Sequence, residues 1–138
     1  MAVIQGVLKF ETAGQGLTDI TSEVRVWLAQ SRLITGTLTL FCRHTSAGLL
    51  ICENASPAVQ RDILRWLTRL APEGPKYEHD DEGPDDMPAH IKTMLTGSAL
   101  TVPFAGNRVL LGTWQGIFLA EHRARSHRRE IVLTAIGE

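Results

Sequence analysis

The order of apolar and polar positions divides the chain into short strands interrupted by three helical segments. Residues 3–10 (VIQGVLKF) mix apolar and polar side chains in rough alternation, which predicts a strand. AGQG at 13–16 is turn chemistry, because glycine accepts positive φ. Thr18 or Asp19 can then cap a helix over about 19–30, in which Ile20, Val24, Trp27 and Leu28 recur at helical spacing. Residues 33–44 read as a long strand, with Ile34, Leu38, Leu40, Cys42 and His44 on one face and threonines on the other. HTSAG at 44–48 is a bend, and LLICE at 49–53 a second strand. Ser56 and Pro57 open a helix that runs to about Leu70 and is ended by Pro72. Its apolar face is Val59, Ile63, Trp66, Leu67 and Leu70.

Residues 73–86 (EGPKYEHDDEGPDD) break this pattern: they are acidic, rich in Gly and Pro, and hold no aliphatic side chain. A loop of that length in a compact domain calls for a reason, either function or disorder. Pro88 opens a short helix to about Leu95, and strands follow at 98–104, 107–112, 114–122 and 129–136. PFAGN at 103–107 marks a hairpin turn. The 114–122 stretch is apolar on both faces, which predicts a central strand. About seven strands and three helices with short connections predict an α+β fold with mostly antiparallel pairing. No internal repeat is present, and the pieces flanking the acidic loop are too small to stand alone, so residues 1–138 read as one domain.

Composition narrows the class. The chain has 43% hydrophobic and 21% charged residues, values usual for a soluble globular protein. A formal net charge of -1 argues against general nucleic-acid binding. No apolar stretch approaches the ~20 residues needed to span a bilayer, and no signal peptide is visible. Two cysteines, Cys42 and Cys52, lie in apolar strand-like runs and read as buried free thiols. A cytoplasmic location is the expectation.

Candidate chemistry concentrates in HDDEGPDDMPAHIK, residues 79–92. His79, His90 and several carboxylates, among them Asp86, lie within one loop and one helical turn. Imidazoles and carboxylates are the usual ligands of zinc, manganese and related divalent ions. The spacing matches no standard zinc motif, and a solvated acidic loop would look much the same. His44 ends a strand on its apolar side, either as a hydrogen-bonded core residue or as a ligand. Thr45 and Ser46 beside it could bind phosphate oxygens or cap the bend. Glu53 and Asn54 end the next strand and could reach a site beside His44. Gln115 follows Trp114, read as a core residue, and would need a polar partner if buried. Glu121, His122 and Arg123, then Arg125, His127, Arg128 and Arg129, form the basic cluster; arginines suit bidentate binding of phosphate, though such clusters are also common in solvated hairpin loops.

HTSAGLLICEN (44–54), YEHDDEGPDDMPAHIK (77–92), LTVPFAGNRVLLGTWQGIFLAEHR (100–123) and RREIVLTAIGE (128–138) together resemble the YjbQ family, in the same order over nearly the whole chain. The resemblance implies an α+β β-sandwich that assembles as a homotrimer, with a pocket built from the histidine-bearing segments. It carries site residues onto His44, Thr45, Glu53, His79, Asp86, His90 and Gln115, with Arg129 in the closing arginine motif. His122 matches some members only, and His127, Cys42 and Cys52 have no counterpart.

Because some members are named secondary thiamine-phosphate synthase, the implied activity joins a pyrimidine pyrophosphate to a thiazole phosphate and releases pyrophosphate. The alternatives are a metal-dependent hydrolase or lyase acting on a small phosphorylated metabolite, and a non-catalytic trimer that binds a metabolite or metal. On these readings His44, His79 and His90 hold a divalent ion (zinc, magnesium or manganese). Thr45, Ser46, Lys92 and Arg129 bind substrate phosphate, and Glu53, Asp86 and Gln115 take part in catalysis.

Overall fold

The computed structural model describes residues 1–74 and 76–138. In chain order the elements are β1 (Ala2–Glu11), β2 (Gly16–Asp19), α1 (Thr21–Ser31), β3 (Gly36–Cys42), β4 (Ala47–Glu53), α2 (Pro57–Leu70), α3 (Asp86–Thr96), β5 (Ala99–Ala105), β6 (Arg108–Val109), β7 (Gln115–Glu121) and β8 (Arg128–Gly137). The strands form a five-stranded sheet, ordered β1-β8-β3-β5-β6, and a three-stranded sheet, ordered β2-β7-β4. Every pairing is antiparallel, although β5 and β6 alone are joined by a short hairpin and the other paired strands are distant in sequence. The expected α+β class therefore holds, and the late hairpin is as expected: Gly106 and Asn107 both take positive φ, 57° and 60°, the geometry of a two-residue turn between β5 and β6.

Alternation along the strands builds the core. Leu38, Leu40 and Cys42 of β3 and Ile131, Leu133 and Ala135 of β8 point inward to meet Leu49 of β4 and Ile117 and Leu119 of β7. Strand β7 is central in the smaller sheet and buried from Gly116 to Glu121, as its two apolar faces predict. Helix α1 adds Ile20, Val24 and Leu28 to the core. Trp27 lies over β1 so closely that a Cβ at Gly6 would come within 2.3 Å of its ring nitrogen.

Four expectations shift. The turn read at 13–16 leads into a strand, β2; GLTD is too short and polar to announce itself, and pairing with β7 makes the strand. The strand expected at 107–112 contracts to Arg108–Val109. Trp114 precedes β7 and is 63% exposed, so it is not the core residue its apolar neighbours suggested. Helix α2 buries only Leu67 of its apolar face and leaves Trp66 and Leu70 half exposed. Of the acidic loop, Pro75 lies outside the described residues. Among the described residues, no helix is long and apolar enough to cross a membrane.

Candidate metal centre

Helix α3 carries Asp86 in its first turn and His90 one turn later, a spacing that stacks the two side chains. The preceding loop returns His79 to the same point. His79 Nε2 lies 2.7 Å and His90 Nε2 3.0 Å from the same oxygen, Asp86 Oδ2. The two imidazole rings are 5.4 Å apart, and one potential ligand atom from each of the three residues falls within 4.8 Å of the others.

The tautomer of His90 follows from its second contact. Its Nδ1 is 2.8 Å from the Thr45 carbonyl oxygen, which can only accept, so Nδ1 carries the proton. In the neutral ring Nε2 is then a bare lone pair, and it faces a carboxylate oxygen. Two acceptors at 3.0 Å need a proton or a cation between them. The carboxylate does not supply the proton readily. Burial alone would raise the Asp86 carboxyl, but the His79 hydrogen bond and the charges of His90 and Arg123 outweigh it and hold it below the ordinary range. The same hydrogen bond to Asp86 lifts the exposed His79 imidazole above its usual value.

The loop is held by Arg123, which follows β7. Its Nη1 donates to Asp86 Oδ1 at 2.8 Å, its Nε to Asp85 Oδ2 at 2.9 Å, and its Nη2 to the Glu82 carbonyl at 3.0 Å. Nη2 also reaches Asp85 Oδ1 at 3.5 Å, and the Ala124 amide adds a bond to Asp85 Oδ2. Asp85 and Arg123 thus fix the ligand-bearing segment. Their residue types were visible in the acidic and basic clusters, but not that each clamps the other. His79 opens onto a hollow of about 600 Å³ lined by Tyr77, Pro84 and Met87 among others. His90 opens onto a second hollow of about 430 Å³ shared with His44, Thr45, Thr93, Met94 and Ser98.

The expected ligand set needs correction at His44. That ring lines the same hollow as His90, but its Nε2 accepts the Glu130 backbone N–H at 2.8 Å. It lies outside the cluster of potential ligands, so two imidazoles and one carboxylate converge in place of three imidazoles. Pairing of β3 with β8 explains this, because the register delivers His44 to the Glu130 amide just beyond the ladder. Burial, then the charge of Arg129, lowers the basicity of His44.

The other predicted residues are dispersed. Thr45 contributes its backbone carbonyl to His90. Ser46 is buried, and its Oγ accepts from Arg129 Nη2 at 3.0 Å. Arg129, 4% exposed, is consumed by Glu121, 2% exposed: Nε donates to Oε1 at 2.8 Å and Nη2 to Oε2. It braces the core and is not free to bind phosphate. Glu53 Oε2 accepts the backbone N–H groups of Ala55 and Ser56 and so ties the turn before α2. Gln115 is exposed and folds back on the Gly112 amide at 2.8 Å. Glu53 pairs with Gln115 at one end of the β4–β7 ladder, and Ala47 with Glu121 at the other. Six residue steps put these ends about 20 Å apart, so Glu53 and Gln115 do not join the His–Asp–His cluster within the chain. Lys92 is two residues beyond His90, which on a helix turns it about 200° to the opposite side.

Fold and site together define a two-sheet antiparallel α+β protein with a His–Asp–His cluster at the start of α3. The chain belongs to the family described as UPF0047 protein YjbQ-like, whose model matches residues 7–138. It is 44% identical over 135 residues to a UPF0047 protein of Synechocystis, covering 97% of this chain and 92% of that one. It is 42% identical to the UPF0047 protein YjbQ of Escherichia coli O157:H7, covering 97% and 98%. Among solved structures, an uncharacterized YjbQ/UPF0047 family protein of Clostridium acetobutylicum superposes with a TM-score of 0.85 at 34% identity, covering 96% and 99%. A conserved hypothetical protein of Thermus thermophilus gives a TM-score of 0.86 at 34% identity, covering 95% and 99%.

The thiamine-phosphate synthase expectation is overturned at this point. The matched proteins are named only as UPF0047, hypothetical or uncharacterised proteins, and none of these names carries that activity. The residues assigned to it do not converge either: Arg129 is committed to Glu121, Lys92 lies across α3, and Trp114 is exposed.

Proposed function

We propose that the chain binds one divalent transition-metal ion through His79 Nε2, His90 Nε2 and Asp86 Oδ2. The observation that carries this reading is the His90 tautomer. The Thr45 carbonyl takes the Nδ1 proton, so in the neutral ring Nε2 is a lone pair aimed at a carboxylate, a place that a cation can fill. A carbonyl behind the ligating ring is the usual outer partner of a metal-bound histidine, and Arg123 on the free oxygen of Asp86 orients the carboxylate in the same way. Two imidazoles and one carboxylate favour zinc or manganese over magnesium, which prefers an all-oxygen shell. Three protein ligands leave coordination positions for water or a small anionic ligand, for which the two flanking hollows provide room.

Calorimetric titration of chelator-stripped protein with zinc and with manganese tests the proposal. We expect one ion per chain, loss of binding in His90→Ala, and retention in His44→Ala. Unchanged binding in His90→Ala, or none in the wild type, refutes it.

We also propose assembly as a homotrimer. The outer face of the five-stranded sheet supports self-association, since Val3, Val7, Phe41 and Ile136 are all more than 40% exposed in paired rows across β1, β8 and β3. Light scattering that returns the 15.2 kDa of one chain would overturn it. Location in the cytoplasm is likewise proposed, supported by two cysteines that are both free. Labelling of both by a thiol reagent in cells lysed directly into denaturant, without prior reduction, is the check, and a disulfide-protected pair would overturn it.

A further inference from the structure

The side of α3 turned away from the metal cluster carries a second polar site. Lys92 is 5% exposed, yet among the described residues its ammonium makes no ion pair or hydrogen bond. A buried cation without a partner is costly unless something arrives to pair with it. Among the described residues no fully enclosed side-chain nitrogen or oxygen lacks a partner, so the Lys92 Nζ must reach open space. That space is a cavity of about 160 Å³, which Lys92 lines with His122, Gln15, Thr68, Leu64 and Leu67.

The proton on His122 can be placed. With the Thr96 hydroxyl giving its single hydrogen to the Lys92 carbonyl at 3.0 Å, the nearest of its three neighbours, it accepts from His122 Nε2 at 3.1 Å. Nε2 is therefore the protonated nitrogen and Nδ1 the bare one. Nδ1 has no partner among the described residues, so by the same reasoning it also opens to the cavity. Glu121 lines the cavity too, but its charge is met by Arg129, the Thr12 hydroxyl and the Arg123 amide. Gln15 is anchored by its amide N–H to the His122 carbonyl. What remains for a ligand is one ammonium donor and one imidazole acceptor above two leucines; the Glu73 and Asp85 carboxylates act on the ammonium through space without bonding it.

We propose that this cavity is a binding site for a small oxoanion that still carries one proton, of the monohydrogen-phosphate type. An anionic oxygen would take the Lys92 ammonium, and the P–OH would donate to His122 Nδ1. The volume suits free phosphate, since water occupies about 30 Å³ and the cavity is about five such units. The cavity shares none of the three proposed metal ligands.

The experiment is calorimetric titration of chelator-treated, full-length protein with inorganic phosphate, sulfate and glycerol phosphate, paired with thermal melting. Phosphate binds and raises the melting temperature. Sulfate, which has no proton to donate at neutral pH, binds at least about tenfold more weakly because Nδ1 stays unsatisfied. Lys92→Met loses the phosphate response, yet folds at least as stably as the wild type in phosphate-free buffer, because a partnerless buried charge has been removed. Titrated at pH 8, glycerol phosphate is a dianion without a P–OH, because its second pKa lies at about 6, so it binds as weakly as sulfate and only the free ion binds tightly; equal affinity for glycerol phosphate there overturns the proposal. No response of the wild type to phosphate, equal affinity for sulfate, or undiminished binding in Lys92→Met overturns the proposal. Should Lys92→Met not fold, the His122 imidazole ¹⁵N resonances of the wild type decide: phosphate must move Nδ1, and no movement overturns it.

Discussion

Replacing Arg129 by methionine removes one half of a buried ion pair and tests whether that arginine is structural. In the native protein Glu121 accepts two bonds from the Arg129 guanidinium, one from Thr12 Oγ1 at 2.6 Å and one from the Arg123 amide at 3.0 Å. Burial by itself would raise the Glu121 carboxyl; the Arg129 and Thr12 bonds outweigh it and keep the group ionised. Arg129→Met leaves that charge in the interior with two neutral donors and strips the hydrogen bond from Ser46 Oγ. Breaking a buried pair from one side costs about 3–5 kcal/mol. For a chain of this size that is a fall in melting temperature of roughly 10–20 °C. The companion variant, Arg129→Met with Glu121→Gln, removes the stranded charge and should recover most of the loss. Urea unfolding of both variants and the wild type is the assay. A single-variant cost under about 1 kcal/mol, or a double variant no better than the single, refutes the structural assignment.

Two further outcomes follow from the packing. His122 is 2% exposed, and burial, followed by the Lys92 charge, pushes it down to about 4 from 6.5. Below pH 6.5 the unfolded chain takes the proton that the folded chain refuses, so stability falls as pH drops from 6.5 towards 4 and is level above that window. The loss at pH 4 is about 3 kcal/mol, read as the difference in urea unfolding between wild type and His122→Asn. Identical pH dependence in the two would contradict it. At Gly36 a Cβ would come within 2.0 Å of the Ile136 carbonyl oxygen and 2.8 Å of Gly137 Cα, so β3 and β8 can close there only without a side chain. Gly36→Ala should cost about 1–3 kcal/mol in the same assay, and a neutral substitution would show that the sheet edge yields.

Elements whose order is local were legible in the chain. Ile20, Val24 and Leu28 repeat at helical spacing and are all fully buried in α1, and the Leu38, Leu40, Cys42 alternation of β3 is the core face. Elements made by partners were not: β2 exists because β7 offers it an edge. The same division runs through the site. His79, Asp86 and His90 could be singled out from type and proximity along the chain, and Asp86 and His90 stack because four residues make about one helical turn. Lys92, two residues further on, looked like part of one site for the same reason, and helical rotation sends it elsewhere. Strand β3 stops at Cys42, two residues short of His44, and nothing in the neighbours of His44 revealed that the Glu130 amide, 86 residues away, claims its ring.

X-ray absorption at the metal edge of protein loaded with one equivalent of zinc tests the metal proposal most directly. It should report two imidazole nitrogens and a carboxylate oxygen at about 2.0–2.1 Å, with the imidazole signal reduced in His90→Ala and intact in His44→Ala. A shell of water oxygens without imidazole, a sulfur at about 2.3 Å from a cysteine, or a spectrum that His90→Ala leaves unchanged would contradict the assignment of His79, Asp86 and His90 as the metal ligands.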